Sequence, residues 1–402
     1  MKIKRNITIV SMIILFGMIS LVTNLAAPLG IIIREQFHVS AALGLLGNLV
    51  SFAAYAVMGI PTGLLIGKIG YKKTAIAATI VGFTGILIQY ISGYVGSFGI
   101  YLSGAFVAGL SLCMLNTVVN PMLNFLGGGN NGGNQLIQIG GAVNSLVGIT
   151  VPVIVGMLVG EVTKNTAIAD VNIVLYIAMA VFLVVGTTLT FIAVEEPTYR
   201  QGTASGNPLR YKHFVLGAVA IFIYVGVEIG IPATMNFYLI DRGIPAVQAG
   251  SFVGTFYIFM LAGRMASIPL AVRYSSRTML ATVSAVGIIL VSMAIYCPEN
   301  LSIAPSIPLN VCFLMLSGLC TSVMWGTIFN LAVHGLGKSV ASASGIFMTM
   351  VCGGGVFPFL QNILSEKAGY MSSYWLVICC LIYLLHYALM GSKPRSNPQK
   401  HP

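Results

Sequence analysis

Twelve apolar runs, each about as long as a lipid bilayer is thick, follow one another along this sequence of 402 residues. A helix needs about 20 apolar residues to cross the hydrocarbon core. Charged residues make up only 7% of the chain, whereas soluble domains carry about 25%. The composition therefore excludes a soluble globule and predicts an all-α membrane protein with twelve transmembrane helices. The runs lie at residues 7–33, 42–67, 74–93, 98–123, 135–160, 171–194, 213–240, 248–270, 278–297, 308–334, 341–363 and 372–391.

The longest polar stretch, residues 195–212, separates the sixth run from the seventh. We expect it to be a cytoplasmic linker between two six-helix bundles, residues 1–194 and residues 213–402. Weak internal repetition supports this division, because NPMLNFLG at the end of run four and NLAVHGLG at the end of run ten share Asn, Leu and Gly. Such repeated halves are typical of transporters that bind substrate at the bilayer midplane. The two bundles are therefore expected to be pseudo-symmetric.

Basic residues are distributed unevenly between the two sides of the predicted membrane. Fifteen Lys and Arg residues fall on the side of the N-terminus and four on the opposite side. Cytoplasmic loops carry an excess of Lys and Arg. Both termini are therefore expected in the cytoplasm.

Basic turns follow the second and the eighth runs, at equivalent places in the two halves. In a transporter whose halves rock against each other, we expect these turns to take part in the conformational change. The candidate residues of this conformational loop are Gly63, Lys68, Gly70, Lys72, Lys73, Arg273 and Arg277.

Two charged residues lie inside the predicted spans, Glu228 in the seventh and Arg264 in the eighth. An ionised carboxylate in hydrocarbon costs several kcal/mol, so we expect Glu228 to face a wet cavity or to be protonated for part of the time. That behaviour suits a proton carrier, and the alternative is a permanent structural partner for Arg264. Arg264 is expected to pair with Glu228, contact a substrate hydroxyl or close the cytoplasmic gate. Alternatively, its long side chain reaches the interface and only anchors the helix.

Several amide side chains also lie inside the predicted spans. An amide both donates and accepts hydrogen bonds, and an aromatic face covers the apolar side of a sugar ring. Trp325 lies in mid-span and not at the interface, where Trp is usually found. For each amide, hydrogen bonding between helices is an equal alternative, but as a set they indicate a polar substrate cavity. The candidate substrate-binding residues are Asn24, Asn116, Asn120, Gln138, Asn144, Tyr224, Asn236, Trp325, Asn330 and Gln361.

The segment GLLIGKIGYKK after the second run resembles the loop signature of the major facilitator superfamily. Further segments are similar to the fucose/glucose/galactose:proton symporter family within it, namely LNTVVNPMLNFLG, FIYVGVEIG, WGTIFNLAVHGLG and MTMVCGGGVFP. The resemblance covers essentially the whole chain. It implies proton-coupled uptake of a hexose or related sugar across a bacterial inner membrane.

The sequence departs from this family at three positions. The usual Asp of the loop signature is Gly67 in this chain. Fucose-type members carry an Asp in span one and a Glu in span four, and the matching places are Ala27 and Asn116. Neither residue titrates, so any proton coupling must use another group. Glu228 matches a Glu that some family members carry in span seven.

These observations together predict a monosaccharide–proton symporter that works by alternating access, and not an enzyme. Two alternatives stay open, an uncoupled sugar facilitator and an efflux transporter of a small organic molecule from the same superfamily. An integral-membrane enzyme acting on lipid would need a carboxylate or histidine cluster near one interface, which the sequence lacks. We expect a monomer whose partners are the sugar, protons and the lipid bilayer, without nucleic acid, cofactor or metal.

Overall fold

The structure, a computed structural model, describes residues 2–36, 46–159, 172–197, 206–298, 301–304 and 307–393, and nearly all of them are helical. The helices in chain order are α1 (Lys2–Gln36), α2 (Leu46–Val95), α3 (Phe98–Leu126), α4 (Asn130–Val159), α5 (Asn172–Phe191), α6 (Lys212–Asp241), α7 (Ala246–Arg273), α8 (Ser276–Tyr296), α9 (Leu309–Val333), α10 (Val340–Thr349), α11 (Gly353–Ala368) and α12 (Tyr370–His386).

Within these ranges, ten helices are long and apolar enough to cross a membrane. One of them, α2, has 50 residues and contains the third predicted span and residues 46–67 of the second, whose first residues, 42–45, lie outside the described part of the chain. Between the two spans, its backbone leaves the helical conformation at Gly70. The fifth predicted span lies on α4, and the eleventh is shared by α10 and α11, with the 3-10 turn Met350–Cys352 between them. The predicted all-α multi-pass membrane fold is confirmed.

A short antiparallel ribbon, not predicted from the sequence, lies in the loop between α8 and α9. Its strands are β1 (Ser302–Ala304) and β2 (Ile307–Pro308), and Ser302 pairs with Pro308. The ribbon lies outside the apolar helices and does not change the fold class.

The helices differ in how much of their surface is covered by protein. In the most apolar stretch of each helix, 72% of residues are buried in α9, 61% in α6 and 56% in α3, against 33% in α5, α7 and α8. Polar side chains within a membrane protein face the protein interior, because hydrocarbon offers them no hydrogen-bond partner. The interior helices α3, α6 and α9 carry many of the candidate amide and aromatic residues.

The chain packs into two compact units. Unit 1 contains Met1–Leu126, Gly140–Ser205 and Ser344–Thr349. Unit 2 contains Gly127–Ile139, Gly206–Ala343 and Met350–Pro402. Each unit therefore includes a short segment that belongs to the opposite half of the sequence.

In unit 1, α10 packs directly against the backbone of α2 at glycine residues. A Cβ atom added to Gly345 would lie 2.6 Å from the carbonyl oxygen of Gly59 and 2.9 Å from the Cα atom of Gly63. Both distances are shorter than van der Waals contact. The two helices can approach this closely because none of these residues carries a side chain.

A carboxylate from a distant segment stabilises the break in α2. Gly70 has φ 84° and ψ 172°, a conformation that is essentially restricted to glycine. The helix restarts after it, and its first N–H groups have no carbonyl partner within the helix. The backbone N–H groups of Tyr71 and Lys72 donate to the two carboxylate oxygens of Glu196, at 3.2 and 2.8 Å. A negative charge at this position also interacts favourably with the helix dipole.

We predict opposite effects for two alanine substitutions three residues apart in α2. Gly70→Ala should lower the free energy of unfolding by about 1–3 kcal/mol, because an L-residue is strained in this conformation and its Cβ would lie 2.6 Å from Glu196 Oε2. Gly67→Ala is the matched control, since a Cβ there meets nothing within 4 Å and alanine favours helix by up to about 1 kcal/mol. Thermal unfolding of both variants in one detergent measures the difference. Equal midpoints would contradict the assigned geometry of Gly70.

Candidate functional site

An ion pair joins α6 to α7 within unit 2. Arg264 Nη2 donates to Glu228 Oε1 at 3.3 Å. The side chains are 10% and 17% exposed, respectively. A charged group taken out of water is destabilising unless another charge compensates it. The structure therefore brings together the two charged residues that the sequence placed inside the spans.

Aromatic side chains surround this ion pair. Tyr224 lies one helical turn before Glu228 on the same face of α6, and it is completely buried. Its hydroxyl group lies near both Glu228 and Arg264 but forms no well-aligned hydrogen bond to either of them. The ring centroid of Trp325 lies 6.3 Å from that of Tyr224, with the planes inclined by 58°. Tyr257 of α7 also interacts electrostatically with Glu228.

Two hydrogen-bonding groups of unit 2 have no well-aligned partner among the residues that the structure describes, the hydroxyl of Tyr224 and, on the opposite face of α6, Nε2 of Gln361. Gln361 of α11 is 1% exposed. It lies against α6, since a Cβ added to Gly230 would be 2.6 Å from its Oε1 atom. A buried donor without an acceptor costs about 1–3 kcal/mol. Both groups could therefore form hydrogen bonds with a polar ligand or with water.

Asn236 lies two helical turns beyond Glu228 on α6 and is partly buried. Its Oδ1 atom has no hydrogen-bond partner within the described part of the chain. The stripe of Tyr224, Glu228 and Asn236 predicted from their spacing is therefore present on α6, with unsatisfied polar atoms at both ends.

The predicted amides of unit 1 use their NH₂ groups in contacts within and between helices. Asn116 Nδ2 donates to the Tyr55 hydroxyl at 2.8 Å, which links α3 to α2. Asn120 Nδ2 donates to the carbonyl oxygen of Asn116 at 2.9 Å. Asn24 donates to Ser20 Oγ at 3.1 Å. These contacts give each of the three amides a structural role.

Asn144 takes part in a reciprocal contact between α1 and α4. Its Nδ2 atom donates to the backbone carbonyl oxygen of Phe16 at 3.2 Å. The backbone carbonyl oxygen of Asn144 accepts a hydrogen bond from Ser20 Oγ at 2.5 Å. The contact connects two helices of unit 1, and the bonded groups of Asn144 are therefore satisfied by protein.

Gln138 and Asn330 stabilise the packing of α4 in unit 2. Gln138 Nε2 donates to the Val323 carbonyl at 3.1 Å, and Asn330 Nδ2 donates to that of Asn130 at 2.9 Å. Asn330 Nδ2 also donates to Ser276 Oγ at 2.7 Å. Both amides thus connect helices, which is the alternative role considered for them from the sequence.

The predicted conformational loop has protein contacts at several of its members. Lys72 Nζ donates to the carbonyl oxygen of Thr190 at 2.9 Å, and Arg277 Nε donates to Ser392 Oγ at 3.2 Å. Three other basic residues of the loop are exposed: Lys68, Lys73 and Arg273.

Three residues of these regions were not among the sequence candidates. Glu196, next to Glu195, follows the sixth span, and an acid just after a span beside a basic turn could have suggested a helix cap. Tyr257 lies seven residues before Arg264 and so on the same face of α7. No sequence pattern predicts the contact of Tyr55 with Asn116, because the hydroxyl group of Tyr55 could contact any of several helices.

Comparisons with known proteins identify the family and the fold. The family model of the Major Facilitator Superfamily matches residues 9–359. A glucose/galactose transporter of Brucella abortus is 27% identical over 397 residues, covering 95% of this chain and 93% of the relative. An L-fucose-proton symporter of Escherichia coli is 23% identical over 86% of this chain and 84% of the relative.

The crystal structure of the major facilitator transporter FucP in the outward conformation has the same fold. Its TM-score to this chain is 0.84 at 18% sequence identity, over 97% of this chain and 100% of FucP. The comparisons confirm the predicted family resemblance and the prediction that the protein is a transporter and not an enzyme. On the family match over residues 9–359, the chain belongs to the major facilitator superfamily.

Proposed function

We propose that this protein takes up a monosaccharide, such as a hexose or a deoxyhexose, together with a proton by alternating access. The observation that carries the proposal is the cluster of Glu228, Arg264, Tyr224 and Trp325 in unit 2. It combines a charged pair, an aromatic face and a buried hydroxyl group. The names of the related glucose/galactose transporter and L-fucose-proton symporter support the same substrate class.

The proton is carried by the carboxyl group of Glu228. Positions 27 and 116, where fucose-type members carry acids, are occupied by Ala and Asn. When Glu228 binds a proton, it no longer neutralises Arg264, 3.3 Å away. The guanidinium N–H groups that the carboxylate releases can then donate to sugar hydroxyls. Protonation and sugar binding are coupled in this way because both act on Arg264.

The sugar is bound by aromatic stacking and by hydrogen bonds to uncharged side chains. Trp325 and Tyr224 provide rings for the apolar face of the sugar. The Tyr224 hydroxyl both donates and accepts, and Asn236 Oδ1 adds an acceptor. The described protein groups leave both of these atoms unsatisfied, so sugar binding removes the cost of burying them.

An uncoupled facilitator is the second candidate, and the ion pair itself favours it. If Glu228 and Arg264 stay paired throughout the cycle, Glu228 does not titrate and transport is independent of the proton gradient. Uptake of labelled glucose, galactose and fucose into vesicles, with and without an imposed pH gradient, distinguishes the two mechanisms. The same panel in inverted vesicles tests for efflux.

The protein acts as a monomer in a bacterial inner membrane, with both termini in the cytoplasm. The excess of Lys and Arg on the side of the N-terminus supports this orientation. The linker at residues 195–212 joins the two bundles, residues 1–194 and residues 213–402, on that side.

Glu228→Gln should separate sugar exchange from sugar accumulation. The substitution keeps the shape of the side chain but removes the titrating group, so exchange of labelled glucose across the membrane continues. Accumulation driven by an imposed proton gradient should be lost. Glu366→Gln, at an exposed acid near the end of α11, is the matched control and should retain both activities. Undiminished proton-driven accumulation in Glu228→Gln would refute the proposed role of Glu228.

Arg264→Gln should lower the stability of the protein by about 3 kcal/mol, because it leaves the carboxylate of Glu228 without its counter-charge. The double variant with Glu228→Gln should recover most of that loss, since both charges are then gone. Arg264→Lys retains a charge and should lose less. Thermal unfolding of the wild type, both single variants and the double variant gives the coupling energy. Additive effects would show that the pair makes no net contribution.

Trp325→Ala should raise the Michaelis constant for sugar uptake about two- to tenfold, the equivalent of one aromatic contact of 0.5–1.5 kcal/mol. The maximal rate should change less. Trp375→Ala is the matched control, because the sequence has only two Trp residues and Trp375 is 45% exposed on α12. Initial uptake rates over a range of sugar concentrations provide the measurement. Identical kinetics for both variants would place the sugar away from Trp325.

A further inference from the structure

The helix α4 is divided between the two compact units. Residues 130–139 pack in unit 2, whereas residues 140–159 belong to unit 1. The rest of unit 2 comes from the C-terminal half of the sequence. In the proposed alternating access, the two halves of the sequence move relative to each other. Contacts between the start of α4 and the helices of the C-terminal half must therefore break and form again in each cycle.

Amide side chains from both partners hold the start of α4 against α9. Gln138 Nε2 donates to the carbonyl oxygen of Val323 in α9 at 3.1 Å. In the opposite direction, Asn330 Nδ2 of α9 donates to the carbonyl oxygen of Asn130 at 2.9 Å. Residues 130 and 138 are about 12 Å apart along the axis of α4. The two bonds therefore fix both the position and the direction of this part of the helix.

Two further amides of α4 contact α7 and α8. Asn131 Nδ2 donates to the carbonyl oxygen of Val272 at 3.3 Å, near the end of α7. Asn134 Nδ2 lies 3.6 Å from Met279 Sδ, in the first turn of α8. These two amides share one face of α4 with Gln138, because residues three and four positions apart lie on the same face. One amide-rich face of α4 thus contacts all three helices.

A glycine allows α4 and α9 to approach each other closely at this contact. A Cβ atom added to Gly326 would lie 2.9 Å from Gln138 Nε2 and 3.1 Å from both Asn134 Oδ1 and Ile137 Cγ2. The three residues of α4 are 2%, 0% and 1% exposed, respectively. A methyl group at position 326 would therefore press against the buried face of α4.

The side chains that make this contact are neutral. Water can replace a neutral amide donor or a carbonyl acceptor when the contact opens, so each hydrogen bond makes only a small net contribution. Separating a buried ion pair would instead leave an uncompensated charge. The carbonyl oxygen of Val323 also accepts from the Thr327 hydroxyl at 3.0 Å, and that bond lies within α9. The contact is therefore suited to repeated opening and closing.

We propose that the start of α4 forms a reversible latch with Asn131, Asn134, Gln138 and Asn330 as its hydrogen-bonding members. The latch holds α4 against α7, α8 and α9 in this state. It releases α4 when the protein opens at this end, which the proposed orientation places in the cytoplasm. The inference rests on the proposed alternating access and names the contacts that the cycle breaks. Gln138 and Asn330 then act in the conformational change and not in sugar binding.

The reactivity of a thiol buried under the latch tests the proposal. Ile137→Cys places this thiol at a position that is 1% exposed. The purified full-length protein is treated with N-ethylmaleimide in the absence of sugar and of a proton gradient. Mass spectrometry of the peptide that contains residue 137 gives the rate of alkylation and separates this thiol from the seven native cysteines. The rate reports how often the latch is released.

Two substitutions in the Ile137→Cys protein weaken the latch in different ways. Gln138→Met keeps the length of the side chain without its donor, and it should raise the alkylation rate about two- to tenfold, the equivalent of one hydrogen bond. Gly326→Ala presses a methyl group against α4 and should also raise the rate. The matched controls are Gln89→Met, at a glutamine of α2 that is 6% exposed, and Gly254→Ala, whose Cβ would meet nothing within 4 Å. Both controls should leave the rate unchanged.

An unchanged alkylation rate in both Gln138→Met and Gly326→Ala would overturn the latch. An equal rise in the two control variants would also overturn it, because the thiol would then be exposed by general loosening of the protein. Alkylation is measured without sugar or a proton gradient, whereas symport is measured by sugar uptake. The latch and the proposed symport therefore fail in different experiments.

Discussion

The lack of water in the bilayer core is the constraint on which the rest of this structure depends. Inside hydrocarbon, each polar group without a partner costs several kcal/mol. Several polar groups of the described helices are satisfied within their own helix: the hydroxyl groups of Thr117 and Thr327 donate to carbonyl groups of the preceding turn. The amide group of Asn116 is satisfied by a neighbouring helix, because it donates to the hydroxyl of Tyr55. Against this background, the unsatisfied atoms of Tyr224 and Gln361 are informative, because they lie in the unit that also contains the ion pair.

The same constraint explains how a single acid couples two substrates in the proposed mechanism. A guanidinium group within the membrane always requires acceptors, and the carboxylate of Glu228 is one of them for Arg264. In this proposal, a proton on Glu228 weakens that contact, so a sugar hydroxyl becomes the better partner. The proposed coupling does not depend on acids at positions 27 and 116. It requires only that the two charged side chains stay within reach of each other and of the substrate.

Near the ends of the predicted spans, backbone N–H groups that a helix break exposes also need hydrogen-bond acceptors. The glycine at position 70 interrupts a 50-residue helix, and Glu196 satisfies the N–H groups that this break exposes. The loop signature of the family has an Asp where this chain has Gly67, and Glu196 supplies a carboxylate to the same turn. At this end of unit 1, Lys72 connects the turn to α5.

The sequence alone determined the fold class and the choice of Glu228 and Arg264 as candidates. This was possible because a bilayer imposes its length and polarity on each segment separately, so local composition is sufficient evidence. Only the tertiary structure decided which polar groups have partners. Gln138 donates to the carbonyl of Val323, whereas Gln361 Nε2 has no partner among the described residues, although both are amides in apolar segments. Such contacts join helices that are far apart in sequence, and they depend on distances of about 3 Å that the periodicity of a single segment does not encode.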